Sequence, residues 1–113
     1  MKCTLPSSFR AVVTGAGGGL GRAFCQELAK APQAQIVVSD INIDAANETA
    51  ELIRQQGAQA LVVETDVAQW NAVQDLHQQA TDWMGGVDCL INNAGVAVRG
   101  DIADISLQDW EWI

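Results

Sequence analysis

The chain has 113 residues, 49% of them hydrophobic, which suits one packed domain over residues 1–113 and is too short for two. Its formal net charge is −8, with only six Lys and Arg. That balance argues against nucleic acid and against an anionic membrane surface as partners.

Taken in chain order, residues 1–10 carry no apolar stretch and do not read as a signal peptide. Residues 10–14 (RAVVT) read as a first strand and run straight into a glycine-rich loop. Leu20, Ala23, Phe24, Leu28 and Ala31 then recur at helical spacing, and Pro32 ends that helix. A second strand is predicted over 35–39 (QIVVS). A second helix follows, marked by Ala46, Ala50 and Ile53 and closed by Gly57. A third strand is predicted over 60–64 (ALVVE), then a helix marked by Val73, Leu76, Ala80 and Trp83 and closed by Gly85-Gly86. A fourth strand covers 87–92 (VDCLIN). The strands are almost continuously apolar, as parallel strands buried on both faces must be. Their alternation with helices predicts an α/β layered fold with right-handed crossovers. A last helix is predicted from Ser106, where Ser106-Leu107-Gln108-Asp109 forms a capping box with Asp in place of the usual Glu. It stops at Ile113, and isolated helices shorter than ~12 residues are marginal, so the domain is read as truncated.

Cys3, Cys25 and Cys89 are odd in number and lack paired spacing, which argues against a disulfide framework. Cys25 and Cys89 lie in apolar segments and are read as reduced core thiols of a cytoplasmic protein. No metal site is expected, because there is no CxxC and His77 is the only histidine, read as a solvated helix residue. Trp70, Trp83, Trp110 and Trp112 are read as packing residues. The last two lack anything to pack on, which predicts an exposed apolar patch near the C-terminus. No run approaches the ~20 apolar residues that a membrane span needs.

The chemistry begins at Thr14-Gly15-Ala16-Gly17-Gly18-Gly19-Leu20-Gly21. A glycine loop between a strand and a helix lets backbone approach a diphosphate, and the helix start offers free N–H groups to the anion. The GxGxxG spacing fails here, whereas GxxxGxG fits through Gly15, Gly19 and Gly21. A P-loop is excluded because no Gly-Lys-Ser/Thr follows. Asp40 ends the second strand where an acid can accept from the ribose hydroxyls of an adenosine. The plain alternative is a strand-end turn residue. A carboxylate there repels a 2′-phosphate, and no Lys or Arg follows it (Ile41, Asn42).

TGxxxGxG resembles the signature of the short-chain dehydrogenase/reductase family. Asn92-Asn93-Ala94-Gly95, at the end of the fourth strand, is similar to that family's second signature. The resemblance covers nearly the whole chain but only the first half of a typical member. It implies a Rossmann-like doubly wound parallel sheet in the order 3-2-1-4, with NAD at the carboxyl ends of the strands. Gly18 stands where NADP-preferring relatives often carry a basic residue, so NAD is expected over NADP. By the same resemblance Asp66-Val67 lies against the adenine, although Asp66 also suits a helix N-cap. Asn93 contacts the adenine ribose side, and Asn92 steadies the sheet. The expected cofactor-binding set is Thr14, Gly15, Ala16, Gly17, Gly18, Gly19, Leu20, Gly21, Asp40, Ile41, Asp66, Val67, Asn93, Ala94 and Gly95.

Family members move a hydride between cofactor and an alcohol or carbonyl with a Ser, a Tyr and a Lys in a Tyr-x-x-x-Lys arrangement. This chain contains no Tyr, and its only lysines are Lys2 and Lys30. No catalytic residue is therefore assigned, and the chain alone is expected to be inactive. The complete protein is expected to be a homo-oligomeric oxidoreductase, a dimer or tetramer, acting on a small-molecule alcohol or ketone. Two rivals remain at this point. One is a non-catalytic dinucleotide-binding module; the other, less supported, is an S-adenosylmethionine-dependent methyltransferase.

Overall fold

Val12, Val13, Val37 and Val38 place β-branched side chains alternately on the two faces of adjacent strands, and both faces are buried. In the computed structural model, which describes residues 4 and 6–113, four strands form one sheet: β1 (Arg10–Thr14), β2 (Gln35–Asp40), β3 (Gln59–Glu64) and β4 (Cys89–Ile91). All neighbouring pairs are parallel, in the order β3-β2-β1-β4. The register is unbroken, with Thr14 beside Ser39 and Asp40 beside Glu64. The strand ends that carry the candidate residues therefore emerge on one edge of the sheet.

Helices α1 (Gly19–Leu28) and α2 (Ile43–Gln55) cover one face, and α3 (Trp70–Met84) covers the other. On the first face Ala11, Val13, Ile36 and Val38 meet Cys25, Ala29, Ala46, Ala50 and Ile53. On the second, Val12, Val37 and Val63 meet Leu76, Ala80 and Met84. Asn42 caps α2 by accepting from the Ala45 amide at 3.1 Å. Gly85, at φ +77°, closes α3 in the left-handed conformation that glycine adopts without strain. A short helix α4 (Leu107–Trp112) starts at Ser106, whose hydroxyl accepts from Asp109 N at 3.0 Å and donates to Asp109 Oδ2 at 2.7 Å. The expected capping box is thus rewired, because the shorter Asp engages the Ser hydroxyl. Among the described residues no helix is long and apolar enough to cross a membrane.

Three expectations need correction. The first helix stops at Leu28, not at Ala31. Lys30 N and Ala31 N turn back onto Glu27 O and Leu28 O in tightened turns before Pro32. Its buried stripe is Gly21 and Cys25, while Leu20 (69% exposed), Ala23 and Phe24 face outward. Trp70 is not a packing residue: it is 71% exposed at the start of α3, and only Trp83 packs, partly buried. The exposed apolar patch expected near the C-terminus is present, formed by Leu107, Trp110, Trp112 and Ile113. His77 is exposed on α3. Cys25 is buried and free, Cys89 is half-buried and free, and Cys3 lies outside the described residues.

Candidate functional site

The turn after β1 is built from contacts that only glycine tolerates. Gly15 sits at φ +61° and Gly19 at φ +51°. A Cβ on Gly21 would stand 2.0 Å from the Gly15 carbonyl oxygen, so α1 can approach β1 this closely only without a side chain there. At Gly18 and Gly19 an added Cβ would meet open space. The loop's outer surface therefore faces a void, and its inner surface is in hard contact with the fold.

Helix α1 begins at Gly19 with no side-chain cap on its N-terminus and no acid in its first turn. Its first amides have no intrahelical acceptor, which leaves donors and a partial positive charge at the loop. Asp40 closes the other side. Its Oδ2 accepts from Gly17 N at 2.8 Å, and its Oδ1 accepts from Asn42 N at 2.9 Å. Both carboxylate oxygens are thereby fixed, each with a lone pair to spare. Ala16 ties the loop back to β2 through its amide, which donates to Ser39 O at 2.9 Å.

Asn93 locks the end of β4 to the loop. Its Nδ2 donates to Thr14 O and to Gly15 O, both at 3.1 Å. Thr14 Oγ1 in turn accepts from Asn93 N at 3.2 Å and from Ala94 N at 3.1 Å. The steadying role that the resemblance gave to Asn92 therefore belongs to Asn93; Asn92 is exposed beyond the strand. The reason is geometric: β4 ends at Ile91, and the next turn aims residue 93, not 92, at the loop carbonyls. Asp66 likewise does not cap α3. The N-cap is Gln69, and Asp66 Oδ1 accepts from Ala68 N at 3.0 Å in a local turn.

These ends surround a cleft of about 740 Å³, lined in part by Gly15, Gly18, Asp40, Asp66, Asn93 and Thr65. Of the predicted set, Ile41, Val67, Ala94 and Gly95 also line it. Thr14, Ala16, Gly17, Gly19, Leu20 and Gly21 do not line it, and of these Thr14, Ala16, Gly17 and Gly21 form the buried frame beneath. Sequence reasoning missed Thr65, which is buried in the cleft wall with a hydroxyl that finds no partner among the described residues. It also missed Trp112 and Ile113, which reach the rim from α4. Arg22 and Thr49 were missed too: Arg22 Nη2 donates to Gly17 O at 2.6 Å, and Thr49 Oγ1 donates to Ala16 O at 2.8 Å. Thr65 had a signal in its place before Asp66; Thr49 had none, being an unremarked polar residue inside a helix.

The arrangement offers uncapped helix amides, a fixed carboxylate and an orphaned buried hydroxyl around a roomy cleft. It fits an anionic, sugar-bearing ligand of nucleotide size.

The family model for short chain dehydrogenases matches residues 10–113. An uncharacterized oxidoreductase of Thermotoga maritima is 38% identical over 101 residues, which is 89% of this chain and 39% of that protein. The 7alpha-hydroxysteroid dehydrogenase of Escherichia coli K12 is 42% identical over 85 residues, covering 75% of this chain and 33% of the enzyme. Among solved structures, a short chain dehydrogenase/reductase from Burkholderia phymatum in complex with NAD superposes with TM-score 0.89 at 38% identity, over 94% of this chain and 37% of that one. The chain thus spans well under half the length of these relatives. The glycine turn locked by Asn93, the 3-2-1-4 parallel sheet and a sequence match running from the first strand to residue 113 agree, and the chain belongs to the short chain dehydrogenase family.

Proposed function

We propose that the cleft binds a nicotinamide dinucleotide, NAD in preference to NADP, and that the whole protein is an oxidoreductase acting on a small-molecule alcohol or ketone. The observation that carries this reading is Asp40, whose carboxylate is pinned between the Gly17 and Asn42 amides at the edge of the cleft. Held there, it accepts from the hydroxyls of a ribose and repels a phosphate on that sugar. No Lys or Arg lines the cleft among the described residues, so no side-chain cation in its wall offers a 2′-phosphate a partner.

The remaining residues divide the ligand between them. The uncapped start of α1 supplies the amides and partial positive charge for the diphosphate, which passes over Gly15 and Gly18 in the cleft wall. Asp66, Val67 and Ile41 form the wall for the base. Asn93, Ala94 and Gly95 form the floor, with Asn93 held by Thr14. When bound, the nicotinamide ring supplies the hydride acceptor or donor; the residues of this chain bind, orient and discriminate. The free, buried Cys25 thiol supports a reducing, cytoplasmic setting. That the whole protein is a homo-oligomer belongs to the same proposal and rests on the family to which the chain belongs.

Titration calorimetry of the 113-residue chain against NAD and NADP tests this. NAD should bind at least about tenfold more tightly than NADP, with S-adenosylmethionine giving no heat. Equal or tighter binding of NADP would overturn the cofactor assignment, and no binding of either would overturn the whole reading.

A further inference from the structure

Between the glycine loop and α2 lies a polar junction that touches nothing in the cleft. Thr49 is fully buried on α2. Its hydroxyl donates to Ala16 O at 2.8 Å and receives Arg22 Nε at 2.9 Å. Arg22, from α1, uses Nη2 on Gly17 O at 2.6 Å and on Glu48 Oε2 at 3.0 Å. The carbonyls of two successive loop residues, Ala16 and Gly17, are therefore held from behind by one Thr and one Arg. The amide of Gly17 faces the other way and donates to Asp40 at 2.8 Å. Gly17 is also boxed in sterically, since a Cβ there would stand 2.8 Å from Ala45 Cβ and 2.9 Å from Asp40 Oδ2.

We propose that Thr49, with Arg22, is a positioning residue for cofactor recognition. It fixes the Ala16–Gly17 peptides so that the Gly17 amide holds the Asp40 carboxylate toward the ribose of the bound dinucleotide. The inference rests on the cofactor reading above and extends it to residues that never touch the ligand. The physical argument is one of orientation. A peptide unit is planar, so anchoring Ala16 O fixes where the Gly17 N–H of the same unit points, and anchoring Gly17 O fixes the unit that follows. A carboxylate held by two amides is preorganised for a sugar diol; one held only by Asn42 N swings and loses its preference. Arg22 suits this task because its planar fork presents Nε to the hydroxyl and Nη2 to the carbonyl and the carboxylate, a fixed two-nitrogen geometry that the single nitrogen of an ammonium does not reproduce.

The test is calorimetric binding of ADP-ribose and of ADP-ribose 2′-phosphate to the wild-type chain and to Thr49→Val, Thr49→Ser and Arg22→Lys. Thr49→Val keeps shape and loses the hydroxyl, and it should weaken ADP-ribose about tenfold. It should also shrink the preference over the 2′-phosphate by roughly threefold, because a wandering carboxylate repels less selectively. Thr49→Ser should restore both quantities. Arg22 is partly exposed, so Arg22→Lys keeps the proposal testable if Thr49→Val does not fold; it should shift both quantities in the same direction. A folded Thr49→Val or Arg22→Lys with wild-type affinity and wild-type preference, even at a lowered melting temperature, would show a merely structural junction and overturn the proposal. Failure of the wild-type chain to bind ADP-ribose would instead overturn the cofactor reading on which it rests.

Discussion

Gly21 lies directly beneath Gly15, so close that a Cβ on the helix glycine would sit 2.0 Å from the loop carbonyl oxygen and 2.8 Å from Asn93 Nδ2. Both obstacles are fixed: the first is backbone, and the second is tied to Thr14 O and Gly15 O. Gly21→Ala must therefore push α1 off β1. It should cost about 3 kcal/mol or more, the upper end of overpacking penalties, and remove dinucleotide binding. Gly18→Ala is the matched control. Its φ of −169° suits any residue and its Cβ meets open space, so its urea midpoint should stay close to wild type. Equal midpoints for the two variants would mean that the contact under Gly15 does not set the loop.

Asn93 joins β4 to β1 through a side chain, at the point where the strand ladder has already ended. Asn93→Asp keeps the shape but replaces the donor with a carboxylate aimed at the Thr14 and Gly15 carbonyl oxygens. Losing both bonds and leaving the acceptors unsatisfied should destabilise the chain by about 2–3 kcal/mol. Dinucleotide affinity should fall in parallel, because Ala94 and Gly95 follow it into the cleft. Asn92→Asp, at an exposed position, should change neither measurement by much. The opposite ranking would return the steadying role to Asn92.

The strands and the loop were readable because their causes are local. Val12-Val13 and Val37-Val38 demand two apolar faces, and Gly15, Gly19 and Gly21 mark a turn by spacing alone. Asp40 could be placed because it ends a strand adjacent to the one that feeds the loop. What stayed hidden depends on side-chain direction or on partners distant in sequence. The face of α1 is set by Gly21 needing to touch Gly15, which turns Leu20 and Phe24 outward against their apolar character. Thr49 is 33 residues from the carbonyl it holds. The choice of Asn93 over Asn92 follows from where β4 stops, at Ile91, one residue short of the strand predicted over 87–92.

Arg10 and Asp88 fasten the starts of β1 and β4. Asp88 Oδ2 accepts from Arg10 N and Nε, both at 3.0 Å, and Oδ1 accepts from Nη2 at 2.9 Å. Hydrogen bonding from the Arg10 guanidinium, reinforced by its charge, holds the Asp88 carboxyl below its ordinary value. A carboxyl depressed in the folded state contributes stability that is present above its unfolded pKa and is lost as pH falls through the folded one. Wild type should therefore lose stability more steeply than Asp88→Asn below about pH 4, with the two curves parallel near neutrality. Parallel acid limbs would show the pair to be neutral, as exposed ion pairs often are.

Cys25 sets the opposite limb. It is fully buried between α1 and the sheet, and burial pushes its thiol up from 9.0 to about 12. The folded chain keeps the proton that the unfolded chain releases. The stability this represents is intact below about pH 9 and drains as pH rises toward 12, at about 1.4 kcal/mol per pH unit for one proton. Cys25→Ala removes that proton and leaves a small cavity. It should start less stable by about 1 kcal/mol near pH 7 and then fall more slowly than wild type from pH 9 to 10.5. The two curves should meet within that interval and then cross in urea titrations, because a loss of about 1.4 kcal/mol per pH unit overtakes a starting gap of about 1 kcal/mol. Cys89 and Lys30 are present in both proteins and cancel in the difference. Alkaline limbs that stay parallel would mean that the Cys25 thiol ionises within the fold, which would require water to reach the face where α1 meets β1 and β2.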